Sequence, residues 1–152
     1  MKLLLKDDSG KLRVIADSAV GRNSQPWFMP DFGTGWRWRR ALAYRVSKLG
    51  KGVTAGFAGR YLDAVTLLWV PEADGNAAAD YMDGAVVCGR WIENEQIDSE
   101  IVSLLVEITR TATVKNGDII ARMLPDVAEP VTLNSHISLS LGTDDVLGFN
   151  IK

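Results

Sequence analysis

The 152-residue chain has the length of a single domain with room for a substantial core. Hydrophobic residues make up 47% and charged residues 24%, an ordinary soluble composition, and a net charge of -2 gives no overall reason to bind nucleic acid or an anionic membrane. One cysteine, Cys88, excludes an internal disulfide, the MKLLLKDD start is too short in apolar residues for a signal peptide, and no run reaches membrane-spanning length, so a cytoplasmic protein is expected.

Residues 2–6 (KLLLK) and 11–16 (KLRVIA) predict two short strands turned through Asp7-Asp8-Ser9-Gly10, making residues 1–16 a hairpin. Residues 17–35 are rich in Pro, Gly, Asn and Ser and predict an ordered loop anchored by Trp27, Phe28 and Phe32. In GWRWRR (35–40), Trp36 and Trp38 alternate with Arg37 and Arg39. A basic-aromatic patch for nucleic acid is one reading; a strand with tryptophans inward and arginines in water is the other, favoured in an acidic protein with one short patch. That strand continues through Leu42, Tyr44 and Val46 until Gly50 and Gly52 turn the chain.

Val53, Phe57, Tyr61 and Val65 are spaced by four and predict a short helix, with Gly56 and Gly59 implying close approach of another backbone. Residues 66–70 (TLLWV) predict a strand covered on both faces and stopped by Pro71, with a surface loop over 72–80. The run AVVC (85–88) makes Cys88 a buried, inert thiol. Residues 92–99 (IENEQIDS) predict a loop whose carboxylates are solvated. Leu104, Val106, Ile108 and Ala112 against Glu107, Thr109 and Thr111 predict a half-buried antiparallel strand. After a turn at Lys115-Asn116-Gly117-Asp118, alternation at Ile137, Leu139 and Leu141 and again at Leu147, Phe149 and Ile151 predicts a C-terminal hairpin. The whole reads as one β-dominated α+β domain, residues 1–152.

Arg45 to Thr66, RVSKLGKGVTAGFAGRYLDAVT, resembles the segment R-(I/V)-x-(R/K)-L-G-K-x-(I/V)-x-x-x-F-A-x-R-Y-x-D-x-(V/L)-T of a branch of the fumarylacetoacetate hydrolase family. Asp17-Ser18-Ala19, the run Pro26 to Phe32, Asp83 to Trp91, Gly117 to Ile120 followed by Pro125, and the ending Leu147 to Lys152 resemble further family motifs in the same order. The resemblance implies a mostly-β fold, a mixed sheet or roll with one short helix and a C-terminal hairpin. It also implies a divalent metal, Mg2+ or Mn2+, held by three carboxylates and polarising a dicarbonyl-type substrate.

Carried over by the motifs, the two Glu positions fall on Arg39 and Ala41 and the Asp position on Val70. The lid Lys falls near Ala79, and Arg122, Met123 and Leu124 stand where the family has Thr-Gly-Thr. The family's N-terminal Gly-x-Asn-Tyr segment and its His have no counterpart. No catalytic residue and no metal ligand is therefore expected, although Glu72 or Asp74 could stand in for the missing Asp. Three roles follow. The first is a non-catalytic scaffold or partner protein, a homodimer or a heterodimer with a paralogue. The second is a module binding a small carboxylate through Arg37, Arg39 and Arg122. The third is a metal-dependent hydrolase, isomerase or decarboxylase of acylpyruvate-type acids with relocated ligands. Neither nucleic acid nor membrane is an expected partner.

Overall fold

In the computed structural model, which describes residues 1–94 and 96–152, the N-terminal hairpin forms as its turn chemistry predicts. β1 (Leu3–Lys6) and β2 (Leu12–Ile15) pair antiparallel, and the Asp7 carboxylate accepts the backbone N–H groups of Ser9 (3.0 Å) and Lys11 (2.9 Å). Next come β3 (Val20–Arg22), the long β4 (Arg37–Val46), the long β5 (Leu62–Glu72), β6 (Val86–Cys88) and β7 (Ile92–Glu93). Helix α1 (Ser99–Thr109) precedes β8 (Ile119–Met123), β9 (Glu129–Pro130), β10 (His136–Leu141) and β11 (Asp144–Asn150).

The strands of one curled mixed sheet follow the order β2-β1-β8-β4-β5-β6-β3, with β7 on β5 and β9 on β4; β10 and β11 form a separate hairpin. The β1–β8 and β3–β6 pairs are parallel and the others antiparallel. Leu3, Leu5 and Ile15 from one end of this order meet Ala19 and Val86 from the other, together with Ala41, Ala43, Leu68 and Val70 between them. Side chains from both ends can share one cluster only if that face is concave, so the sheet is a half-barrel with an apolar interior.

The opposite face is covered by α1 over Leu4, Tyr44, Val46 and Ile120, and by the C-terminal hairpin over Leu67 and Trp69. At Gly89 a Cβ would lie 2.7 Å from Thr66 Oγ1 and 2.8 Å from Val146 O, so the hairpin packs as closely as it does only because no side chain intervenes there.

The fold class is as expected, with its elements redistributed. The four-residue spacing from Val53 gives no α-helix: a six-residue 3-10 turn spans Ala55–Arg60, and strand resumes at Leu62. Phe57, placed on the expected buried side, is 51% exposed; Gly56 faces open space, and the nearest neighbour of Gly59 is a side-chain carbon, Ile97 Cδ1 at 3.5 Å. Two glycines in six residues remove the backbone stiffness a helix needs. Pro71 does not stop β5 but lies within it. β6 pairs only with Leu68 and Trp69, so the missing N–H of Pro71 deprives no ladder.

The expected strand over 104–112 is instead α1, started by the Asp98 carboxylate accepting from the Ile101 N–H at 3.1 Å. Ile101, Leu104, Leu105 and Ile108 are buried on one side of it, a spacing of three and four that also contains the alternation of Leu104 and Ile108. Of the expected 92–99 loop, Ile92 and Glu93 pair with Val65 and Ala64, Asp98 caps α1, and Glu95 lies outside the described residues.

Asp118 locks the turn before β8 to the chain's start. Nearly buried, it accepts from the Lys2 backbone N–H (3.0 Å), the Lys2 ammonium (2.9 Å) and the Lys115 N–H (2.9 Å). Burial alone would push its carboxyl up; the Lys2 side chain and the two backbone donors outweigh it, and the net shift is downward. A carboxyl depressed in the folded state contributes stability that is present above its unfolded pKa, about 3.9, and lost as pH falls through the folded value. Asp118→Asn should therefore lower stability at neutral pH and make the acid limb of a CD-monitored stability profile shallower below about pH 4. An unchanged limb would show that the lock contributes nothing.

Candidate functional site

Residue parity on β4 sends Arg39 and Ala41 to the concave face. Antiparallel register then sets Val70 opposite Arg39, and Leu68 and Met123 opposite Ala41. The positions that the resemblance assigns to three carboxylates are thus neighbours on one face, though they lie 31 residues apart at their extremes, from 39 to 70. What they carry is a guanidinium, a methyl and an isopropyl group. Ala41 is 0%, Val70 2% and Met123 7% exposed, in one cluster with Leu3, Leu5 and Ile15 of the N-terminal hairpin.

Mg2+ or Mn2+ requires a shell of oxygen donors at close range, and this patch presents none. The residues do not fit the metal. Among the described residues no group of three or more His, Cys, Asp or Glu gathers anywhere. Ala79, at the lid position, is buried in a 3-10 turn (Ala78–Asp80), and the Asp80 carboxylate of that turn pairs with Arg13 on β2.

The three arginines do not share a cavity. Arg37 Nε lies 3.3 Å from Glu72 and its Nη1 2.6 Å from Asp74. Arg39 reaches Asp8 at 2.6 Å, on the hairpin turn, and Glu72 at 3.6 Å. Arg122, opposite Leu42 and so on the other face, is held by Asp98 through two bonds of 2.8 and 2.9 Å, with Glu100 at 3.4 Å. The expected convergence of Arg37, Arg39 and Arg122 is corrected accordingly: Arg37 and Arg39 share Glu72 at the rim of the half-barrel, and Arg122 pins the start of α1. Glu72 and Asp74, the carboxylates that could stand in for the missing Asp, are both paired with these arginines.

The hydrogen bond that Arg39 donates to Asp8 holds the guanidinium above its usual value and the Asp8 carboxyl below its own. Asp98 is likewise lowered, first of all by Arg122. A carboxylate ligand seeking Arg39 would have to displace Asp8, a partner already tethered to the chain.

Sequence reasoning missed Asp8, Asp98 and Asp126 as partners. Asp126 holds Arg40 at 2.7 and 2.9 Å. Trp36 and Trp38 do turn inward, as the strand reading requires, joining Trp27, Trp69 and Phe149 in one aromatic cluster. Cys88 is partly buried, and burial pushes its thiol up to about 12, which leaves it protonated and inert at neutral pH. His136 is exposed on β10, its Nδ1 2.7 Å from Asn150 Oδ1.

No sequence-family model matches the chain, and no curated protein sequence matches it. Solved structures do. A 5-carboxymethyl-2-hydroxymuconate delta-isomerase from Mycobacterium smegmatis superposes with a TM-score of 0.86 at 15% identity, covering 99% of this chain and 78% of that one. A maleylpyruvate hydrolase from Sphingobium gives 0.86 at 14% identity, covering 99% and 69%. A protein described as one of the fumarylacetoacetate hydrolase family, from Yersinia pestis, gives 0.85 at 16% identity, covering 99% and 92%. The fold is the fumarylacetoacetate hydrolase-like fold that the sequence motifs imply.

Proposed function

We propose that this chain is a fumarylacetoacetate hydrolase family member that has kept the family scaffold and lost its metal chemistry, and that it works through pairing with a second copy or with an active relative. The observation that carries this reading is the apolar patch of Ala41, Val70 and Met123 where the resemblance places the carboxylate cluster. A hard dication there would surrender its hydration shell for methyl groups, beside the fixed positive charge of Arg39. The activities named for the similar structures, an isomerase and a hydrolase, belong to those proteins. Reading them onto this chain would need oxygen ligands from elsewhere, and Glu72 and Asp74 are engaged by arginines.

Titration with Mn2+ or Mg2+ should give no heat and no rise in melting temperature, and acylpyruvates should not turn over with either metal. Metal-dependent turnover would overturn the reading. Sedimentation velocity, alone and mixed with an active family member, tests the pairing half; a strict monomer in both would remove it.

A further inference from the structure

We infer that the end of the half-barrel built from residues 48–60 and 110–115 is a docking face for an anionic phospholipid surface. Here β4 finishes, α1 finishes, and β5 and β8 begin. Gly50 and Val114 exchange two backbone hydrogen bonds of 2.9 Å, and the Gly52 N–H donates to Thr109 O at 2.7 Å. Those bonds set the backbone at Lys51 next to the segments that carry Arg110 and Lys115. On the other side of the loop, the Lys48 ammonium lies 4.8 Å from the Tyr61 ring centre, and the Arg60 guanidinium 4.6 Å from that of Phe57.

Lys48, Lys51, Arg60, Arg110 and Lys115 are all exposed, and among the described residues none makes an ion pair. This contrasts with the other end of the sheet, where Arg13, Arg37, Arg39 and Arg40 each hold a carboxylate. Of the acids on the flanking elements, Asp63 and Asp118 are taken by Arg45 and Lys2, and Glu107, in the last turn of α1, lies 3.6 Å from Lys6; Glu93, one strand over from Ala64, is a further acidic neighbour. A chain of net charge -2 therefore gathers, among the described residues, five exposed cations without an ion pair at one end.

Two apolar side chains stand among these cations. Leu49 is 68% and Phe57 51% exposed, and neither lines any of the molecule's larger clefts. An acidic peptide would be expected to lie in a groove. Projecting apolar tips ringed by cations instead match a planar, negatively charged interface: the tips enter the headgroup boundary while the ammonium groups stay at the phosphates.

Flotation with phosphatidylcholine vesicles, with and without phosphatidylserine, tests this. The chain should float only with the anionic vesicles, and raising salt well above about 0.1 M should release it. Lys48→Gln/Lys51→Gln/Lys115→Gln should weaken binding by roughly two orders of magnitude, at about fivefold per cation. Leu49→Ser/Phe57→Ser should weaken it further, with an unchanged far-UV spectrum and melting temperature confirming an intact fold. Flotation that ignores phosphatidylserine overturns the inference. So does undiminished vesicle binding by Leu49→Ser/Phe57→Ser, which would mark a plain polyanion face suited to an acidic macromolecule.

Discussion

Trp69→Ala should cost about 3–5 kcal/mol of folding stability, among the largest losses available from a single substitution in this chain. Trp69 is 0% exposed, with ring centres 4.9 Å from Trp27, 5.0 Å from Phe149 and 6.1 Å from Trp38. It therefore joins β5 to the C-terminal hairpin and to the 17–35 loop at once. Its removal leaves a void that three other rings cannot fill without moving backbone. Among the described residues the buried indole N–H finds no hydrogen-bond partner, and an orphaned buried donor costs about 1–3 kcal/mol. Trp69→Phe gives up part of the ring but also removes that donor, so it should cost much less than the alanine change. Urea unfolding followed by far-UV CD separates the two, since the nearby tryptophans would confound fluorescence. A loss below about 1 kcal/mol for Trp69→Ala would show that the hairpin is held by something other than this cluster.

The strands were legible where one face is buried and the period is two. The N-terminal hairpin, β4, and the last hairpin fall where alternation and turn residues place them. α1 was not, because Leu104 and Ile108 fit both periods, while Val106, which fits only the strand's, lies off the buried side of the helix. The deciding evidence lay just upstream, in Asp98 three residues before Ile101, the spacing of an N-cap. The reverse error at Val53–Val65 came from trusting a four-residue spacing over the glycines that interrupt it.

The site divides in the same way. Which side chains stand at the positions that the resemblance assigns to carboxylates is one-dimensional information. That Arg39 is held by Asp8 and Arg40 by Asp126 is not, since these pairs are separated by 31 and 86 residues and exist only once the sheet has set its register. The part that residues 1–16 take in the sheet, adding Leu3, Leu5 and Ile15 to its concave face, was hidden for the same reason. The hairpin was predicted, but its parallel pairing with β8 depends on a strand more than a hundred residues away.

Building carboxylates at the positions that the resemblance assigns to the metal ligands should be costly and reversible by metal. R39E/A41E/V70D places three carboxylates where register already makes the positions neighbours, two of them almost wholly buried. It also removes the partner of Asp8, which then adds a fourth negative group at the rim. Uncompensated buried charge of this kind costs about 3–5 kcal/mol, so the variant should be far less stable than the parent at pH 7. The sign with pH is opposite to that at Asp118. Burial and mutual repulsion raise these carboxyls in the folded state above their unfolded values of about 4, so the penalty is absent below that pH and grows as pH rises through the folded values. Stability should therefore recover on acidification, where the parent loses it. Mn2+ should recover it at neutral pH, because an ion that binds the folded state alone stabilises in proportion to the logarithm of its concentration over Kd. A melting temperature that acid raises but Mn2+ leaves unmoved would mean that the three positions do not form one coordination site. The assignment of the family's ligands to Arg39, Ala41 and Val70 would fall with it.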